Sequence, residues 1–151
     1  MTATRRLLER LPEADLGWRP HDKSFTLGEL ALHLPRLVGW GRSILNDDAY
    51  DLTRGGDKPP PPTSRAEVLA AFDDAVASVR QSLIDRPETH LASIWELRRG
   101  TQVLMSMPRI TALRRFVIHH LIHHRGQLTV YLRLRGVPLP PLYGPTADER
   151  M

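Results

Sequence analysis

Seven histidines occur in the chain, and four of them crowd into six residues, His119-His120-Leu121-Ile122-His123-His124. Imidazole titrates near neutral pH and is the commonest side-chain metal ligand, so the cluster points to metal binding or proton transfer. Helix geometry sorts its members. At about 100° per residue, Ile110, Leu113, Val117, Leu121, Leu128, Tyr131 and Leu132 line one apolar face, and His120 and His124 fall within it. His119 and His123 point roughly to the other side. Two imidazoles at i and i+4 can chelate one ion, the arrangement zinc peptidases use. Here the residue after the first histidine is Leu121 rather than Glu, so the general base of the H-E-x-x-H motif is missing and a peptidase of that kind is disfavoured. The pair alone admits two readings, a chelate or two core histidines each satisfied by hydrogen bonds. A third candidate ligand, His33 in ELALHLPRL, favours the chelate. His21 and His90 fall in expected loops and read as surface or loop-fixing residues.

These side chains need helices to hold them. Residues 2–11 read as a short first helix, followed by a loop from Pro12 to Ser24 that carries two prolines and a glycine. Thr26-Leu27-Gly28-Glu29 matches a capping box and opens a second helix to about Asn46, with Leu27, Leu30, Leu34, Leu37, Val38 and Leu45 at helical spacing and His33 at the flank of that face. Pro35 lies inside this helix and should kink or locally break it, since it removes a backbone donor. The segment 55–62, two glycines then Asp57, Lys58 and four prolines, reads as a rigid crossover without regular structure. Ser64-Arg65-Ala66-Glu67 is a second capping box, opening a third helix to about Arg86 with Leu69, Phe72, Val76, Val79 and Leu83 in an amphipathic stripe. Residues 89–107 fit either a short hairpin or an irregular covering loop, because Trp95 and Leu97 alternate with polar residues before Gly100. Pro108 suits the first turn of a long fourth helix that ends near Gly136. The proline-rich tail reads as an extended strap. The expected architecture is a single all-α domain over 1–151, a four-helix bundle with a long crossover between its second and third helices.

Composition narrows the chemistry. Hydrophobic residues make up 41% and charged residues 25%, an ordinary globular mixture. No apolar run approaches the roughly twenty residues that span a bilayer, and the N-terminus lacks a signal-peptide core, so a cytoplasmic protein is expected. Cysteine is absent, which excludes disulfides, zinc–thiolate sites and an internal thiol nucleophile. Any thiol chemistry must therefore use a thiol carried by a substrate. The net charge of +4 raises the question of nucleic acid, but the arginines are scattered through every segment rather than gathered on one face. A solvated basic surface without nucleic-acid binding is expected.

Three segments taken together, WRPHDKS, LGELALHL and HHLIHHRGQLTVYLRLRGVPLPPLYGPTADE, resemble the DinB-like (DinB/YfiT) superfamily over nearly the whole chain. The resemblance implies an up-down-down-up four-helix bundle, usually a homodimer, with a first helix longer than the fragment present here. It also implies a divalent ion, commonly nickel or zinc, held by one histidine of the second helix and an H-x-x-x-H pair of the fourth. Those positions fall on His33, His120 and His124.

Three neutral imidazoles leave the ion's charge uncompensated and a coordination position open, as in catalytic rather than structural sites. No Asp or Glu occurs between Arg109 and Ala147, so the fourth helix offers no carboxylate base beside the pair. Glu29 and Asp73 are the candidates for a carboxylate that supports a ligand from behind. Arg125 and Gln127 read either as helix-orienting contacts or as ordinary surface residues, and Tyr143 as a tail anchor or a residue at the pocket mouth. By resemblance, the expected activity is metal-dependent thiol transfer, or hydrolysis, on a small molecule. A non-catalytic metal-binding stress-response protein is the alternative.

Overall fold

The computed structural model describes residues 1–54 and 60–150. A short helix, α1 (Thr2–Leu8), is followed by an irregular arm that lies against the start of α2 (Leu27–Asn46). The Trp18 and Leu16 carbonyls accept from the Leu27 and Gly28 amides at 2.7 and 2.9 Å, so the arm satisfies two amides that a helix start leaves free. The expected capping box is complete. Thr26 Oγ1 accepts from the Glu29 amide at 3.1 Å, and the Glu29 carboxylate accepts from the Thr26 amide at 2.8 Å. Pro35 is buried within α2, and the helix runs through it without a break. His33 therefore stays in register with the residues that follow it.

Residues 55–59 of the crossover lie outside the described residues, and 60–62 carry no regular structure. Helix α3 (Arg65–Leu83) starts on Ser64, whose hydroxyl accepts from the Glu67 amide at 3.2 Å. Its second capping box is displaced by one residue, because the Glu67 carboxylate accepts from the Thr63 amide rather than that of Ser64. Helices α2 and α3 approach closely at Gly41, where an added Cβ would lie 3.2 Å from Val79 Cγ2. A larger residue there would push the two helices apart.

Three strands accompany the helices, and they correct the all-α expectation: the chain is a helical bundle carrying a three-stranded mixed sheet. Strand β1 (Ala49–Asp51) pairs in parallel with β2 (Ile94–Arg99), which pairs antiparallel with β3 (Gln102–Pro108). The segment 89–107 thus resolves into a one-turn helix, α4 (Glu88–Ala92), and a hairpin. Gly100 occupies the turn at φ 59°, a conformation glycine adopts without steric penalty. Its amide donates to Asp51 Oδ1 at 2.9 Å and ties the hairpin tip to β1. Along β2, Trp95 and Leu97 are buried while their neighbours are not, so the alternation in the sequence is that of a strand with one covered face. Strand β1 gave no such signal, being three half-buried residues paired with a strand more than forty positions away.

The final helical run combines α5 (Arg109–Ala112), a π-helical stretch (Leu113–His119) and α6 (His120–Leu134). A π turn holds more residues than an α turn, so the two ends of the run are out of step. Leu113, Val117, Leu121, Leu128, Tyr131 and Leu132 are all buried, yet before the π stretch the buried positions are Arg109 and Ala112 instead of Ile110. The core gathers α1, α2, α3, the hairpin and this run around Leu7, Leu30, Leu34, Phe72, Trp95 and Leu128. No helix among the described residues is long and apolar enough to cross a membrane.

Candidate metal centre

His33 leaves α2 toward α6, where His120 and His124 sit one turn apart just after the π stretch. One ring nitrogen of each of the three lies within 4.8 Å of the others. His120 Nε2 and His124 Nε2 are 3.0 Å apart, and the His33 ring centroid is 4.6 Å from that of His124 and 5.4 Å from that of His120. For a tetrahedral ion with nitrogen ligands at about 2.05 Å, neighbouring nitrogens stand about 3.3 Å apart. The two α6 nitrogens are already close to that spacing. His119 and His123 are exposed and stay outside the cluster, as the helical angle requires.

The hydrogen bonds behind the cluster decide which nitrogens face inward. His124 Nδ1–H donates to Gln127 Oε1 at 2.8 Å, and Gln127 Nε2 reaches toward the Tyr131 hydroxyl at 3.5 Å. With its proton fixed at Nδ1, His124 presents an Nε2 lone pair to His33 and His120. This is the device by which metal-binding histidines have their tautomer set. Neither carboxylate singled out in the sequence supplies it. Asp73 is engaged by Arg5 on the surface, and the Glu29 carboxylate caps α2. Gln127, one turn after His124, reads in the sequence as a helix-orienting contact or an ordinary surface residue; its contact is with the His124 ring.

The surroundings keep all three rings neutral. Burial pushes His33 down to about 4, assisted by the charges of His124, His120 and Arg36. His120 is lowered chiefly by burial and then by His124 and His123; His124 is lowered by burial, with the Gln127 hydrogen bond opposing. A neutral imidazole is the ligand form. Phe25 stands over the cluster, 5.7 Å from the His33 ring and 6.3 Å from that of His124, and shields it on one side. On another side a cleft of about 470 Å³ opens directly onto His33 and His120.

Matched against known protein families, residues 2–150 fit the DinB family. The chain belongs to the DinB family. Among curated proteins it is 29% identical over 147 residues to the uncharacterized protein YrdA of Bacillus subtilis (strain 168), covering 97% of this chain and 83% of that one. Two solved DinB-like structures share the fold. One, from Bacillus cereus ATCC 10987, superposes with a TM-score of 0.71 at 23% identity, over 94% of this chain and 89% of its own. The other, YjoA from Bacillus subtilis, gives 0.70 at 18% identity, over 99% and 92%. At these identities the structures speak for the fold alone.

The other residues marked in the sequence have structural places. Arg125 is buried, donates to Thr4 Oγ1 at 3.3 Å and to the Tyr143 hydroxyl, and lies 4.9 Å from the Tyr143 ring. Tyr143 thus anchors the tail to α6 and lines neither cleft beside the histidines. His21 Nδ1 accepts from the Lys23 amide at 3.1 Å, and His90 Nε2–H donates to the Leu45 carbonyl at 2.8 Å. Both fix loops.

The Gln127 contact yields a direct test. Gln127→Leu keeps the volume and removes the acceptor at His124 Nδ1, so nickel or zinc affinity is expected to fall by about tenfold to a hundredfold with little change in thermal stability. Competition against a chromophoric chelator measures it, and an unchanged affinity would remove Gln127 from the centre.

Proposed function

We propose that His33, His120 and His124 hold one divalent ion, nickel or zinc, and that the protein is a metal-dependent enzyme transferring a low-molecular-weight thiol to a small electrophile. The convergence of three neutral ring nitrogens beside an open cleft carries this reading. A closed structural site would need a fourth protein ligand, and no further His, Asp or Glu joins the cluster among the described residues. The donor set fits such an ion: all three ligands are neutral, one has its tautomer fixed by Gln127, and the α6 pair is already at chelating distance. When bound, the ion supplies a Lewis-acidic position that favours the thiolate form of a thiol at neutral pH.

The chain's own residues do the remaining work. Gln127 holds the His124 proton away from the cluster, and Phe25 limits water on one side. The cleft receives the organic part of the substrate. Because cysteine is absent, the sulfur must enter on a co-substrate, and its attack forms a carbon–sulfur bond while the electrophile's leaving group departs. A homodimer belongs to the same reading, and the final helical run leaves Ile118, Ile122, Val130 and Leu134 exposed on which one can form.

The test is thioether formation from 2-mercaptoethanol and an activated aryl chloride, in which the C–S bond replaces C–Cl and chloride leaves. The nickel- or zinc-loaded protein is expected to exceed the metal-free protein by at least about tenfold in rate, with loss on chelation. A loaded protein no faster than free metal over a panel of small thiols would overturn the transferase reading and favour the non-catalytic one.

A further inference from the structure

The proposed metal reading leaves unassigned the charged and aromatic residues that continue along α2 from His33. The cleft of about 470 Å³ is built largely on one stripe of that helix, where His33 is followed by Arg36 one turn later and Trp40 one turn beyond that. Tyr50 and Leu52, at and just after β1, form the facing wall, and His120 closes the end. Trp40 and Tyr50 meet edge to face with centroids 5.3 Å apart, so the wall is an aromatic surface fixed by packing.

Charge in this cleft is one-sided. Among the described residues its lining contains no carboxylate, and Arg36 also lines the smaller cleft on the other side of His33, where Glu29 stands. Arg5 pairs with Asp73, Arg133 with Asp148 and Arg135 with Asp15, whereas Arg42, Arg80 and Arg114 are exposed without an ion pair among the described residues but line neither cleft beside the histidines, so Arg36 stands apart by its place. Among the described residues Arg36 has no hydrogen-bonded or ion-pair partner, although it stands one turn from a metal ligand at the edge of an apolar pocket. A guanidinium placed there offers a planar fork of donors that matches a carboxylate.

We infer that the cleft takes a small carboxylate with an apolar or aromatic body, its carboxylate on Arg36, its body against Trp40 and Tyr50, and its far end at the histidine cluster. The inference rests on the metal reading only for what happens at that far end. The two electrostatic features favour the same ligand, since a divalent ion on neutral histidines and an unmatched guanidinium both attract an anion. The aromatic wall adds a preference that a simple inorganic anion would not satisfy.

The experiment is an NMR titration of 3-phenylpropionate and its uncharged amide, 3-phenylpropionamide, into the parent protein and Arg36→Gln, each zinc-loaded and metal-free, at physiological salt. In the parent the carboxylate is expected to bind about tenfold or more tightly than the amide. In Arg36→Gln the carboxylate should fall to the affinity of the amide, with metal content and amide affinity unchanged. Equal affinities in the parent would overturn the inference. So would a carboxylate preference that survives Arg36→Gln; if it vanishes only when metal is removed, the ion alone holds the carboxylate and the metal reading stands. If the protein takes up no zinc, the proposed function fails on its own, while the comparison in metal-free protein still decides Arg36.

Discussion

Replacing His120 with alanine is expected to lower nickel or zinc affinity by at least about a hundredfold while leaving the metal-free fold intact. A structural zinc site of four ligands is worth about 10–16 kcal/mol, so one ligand accounts for roughly 3 kcal/mol, which is on the order of a hundredfold in binding. His120 is the informative choice because it is only half-buried and faces the cleft, so its removal leaves space that solvent can fill. His124 is more deeply buried and hydrogen-bonded to Gln127, so its loss would mix packing with ligation. His119→Ala is the control, because its side chain is exposed outside the cluster and its loss should leave the affinity unchanged; His123, though exposed, packs edge to face on the His124 ring with centroids 4.7 Å apart. Metal content after dialysis, followed by chelator competition, measures both variants. A parent that retains no metal, or a His120→Ala variant that retains it as well as the parent does, would refute the site.

The same centre has a signed pH dependence. All three imidazoles are held below the ordinary histidine value, His33 at about 4, so the rings of the metal-free site are uncharged at neutral pH. Metal affinity should therefore be flat above about pH 6.5, the unperturbed histidine value, and decline toward pH 4 as protons compete for the ring nitrogens. A decline that begins at pH 7 or above would mean that the rings are not depressed.

The three histidines were legible because the signal for them is local. One turn of helix fixes the relation of His120 to His124, and an apolar face shows which way both point. His33 followed from its place on the flank of α2 together with the family resemblance. The sheet was not legible as a whole. Trp95 and Leu97 alternate visibly, whereas β1 is three residues long and exists through a parallel pairing distant in sequence. Gln127 was marked beside the pair but not as the partner of His124, and the π stretch was hidden altogether. Glutamine on a helix surface has no pattern of its own, and the π stretch shifts the helical phase without leaving a mark in composition. A constant angle per residue from 110 to 132 placed Ile110 on the buried face; the phase change puts Arg109 there instead.

That phase change leads to the largest stability effect expected outside the site, at Arg109. Helix α2 ends at Asn46 with no basic residue in its last turn; the Asp47 amide donates to the Ser43 carbonyl and His90 to that of Leu45, which leaves the Ile44 carbonyl in need of a partner. Arg109 supplies it from the start of α5. Its Nη1 donates to the Ile44 carbonyl at 2.6 Å and to that of Asp47, its Nη2 donates to Asp48 Oδ1 at 2.6 Å, and its Nε donates to Ser93 Oγ at 2.9 Å. The residue is 3% exposed, and its cation meets the negative end of the helix dipole. Arg109→Ala leaves a cavity and two carbonyls without their donor, so it should destabilise by about 3 kcal/mol, or roughly 6–12 °C in Tm for a chain of this size. Arg109→Lys keeps the charge but cannot reach all four acceptors, and should fall between the two. Thermal unfolding of the metal-free forms measures this, and an Arg109→Ala variant within about 0.5 kcal/mol of the parent would refute the role. Arg109 grips the end of α2 next to β1, and thereby the wall that carries Tyr50, whereas His33 lies three turns further back along the helix. Stability and ligand binding in the cleft should therefore suffer in Arg109→Ala more than metal affinity does.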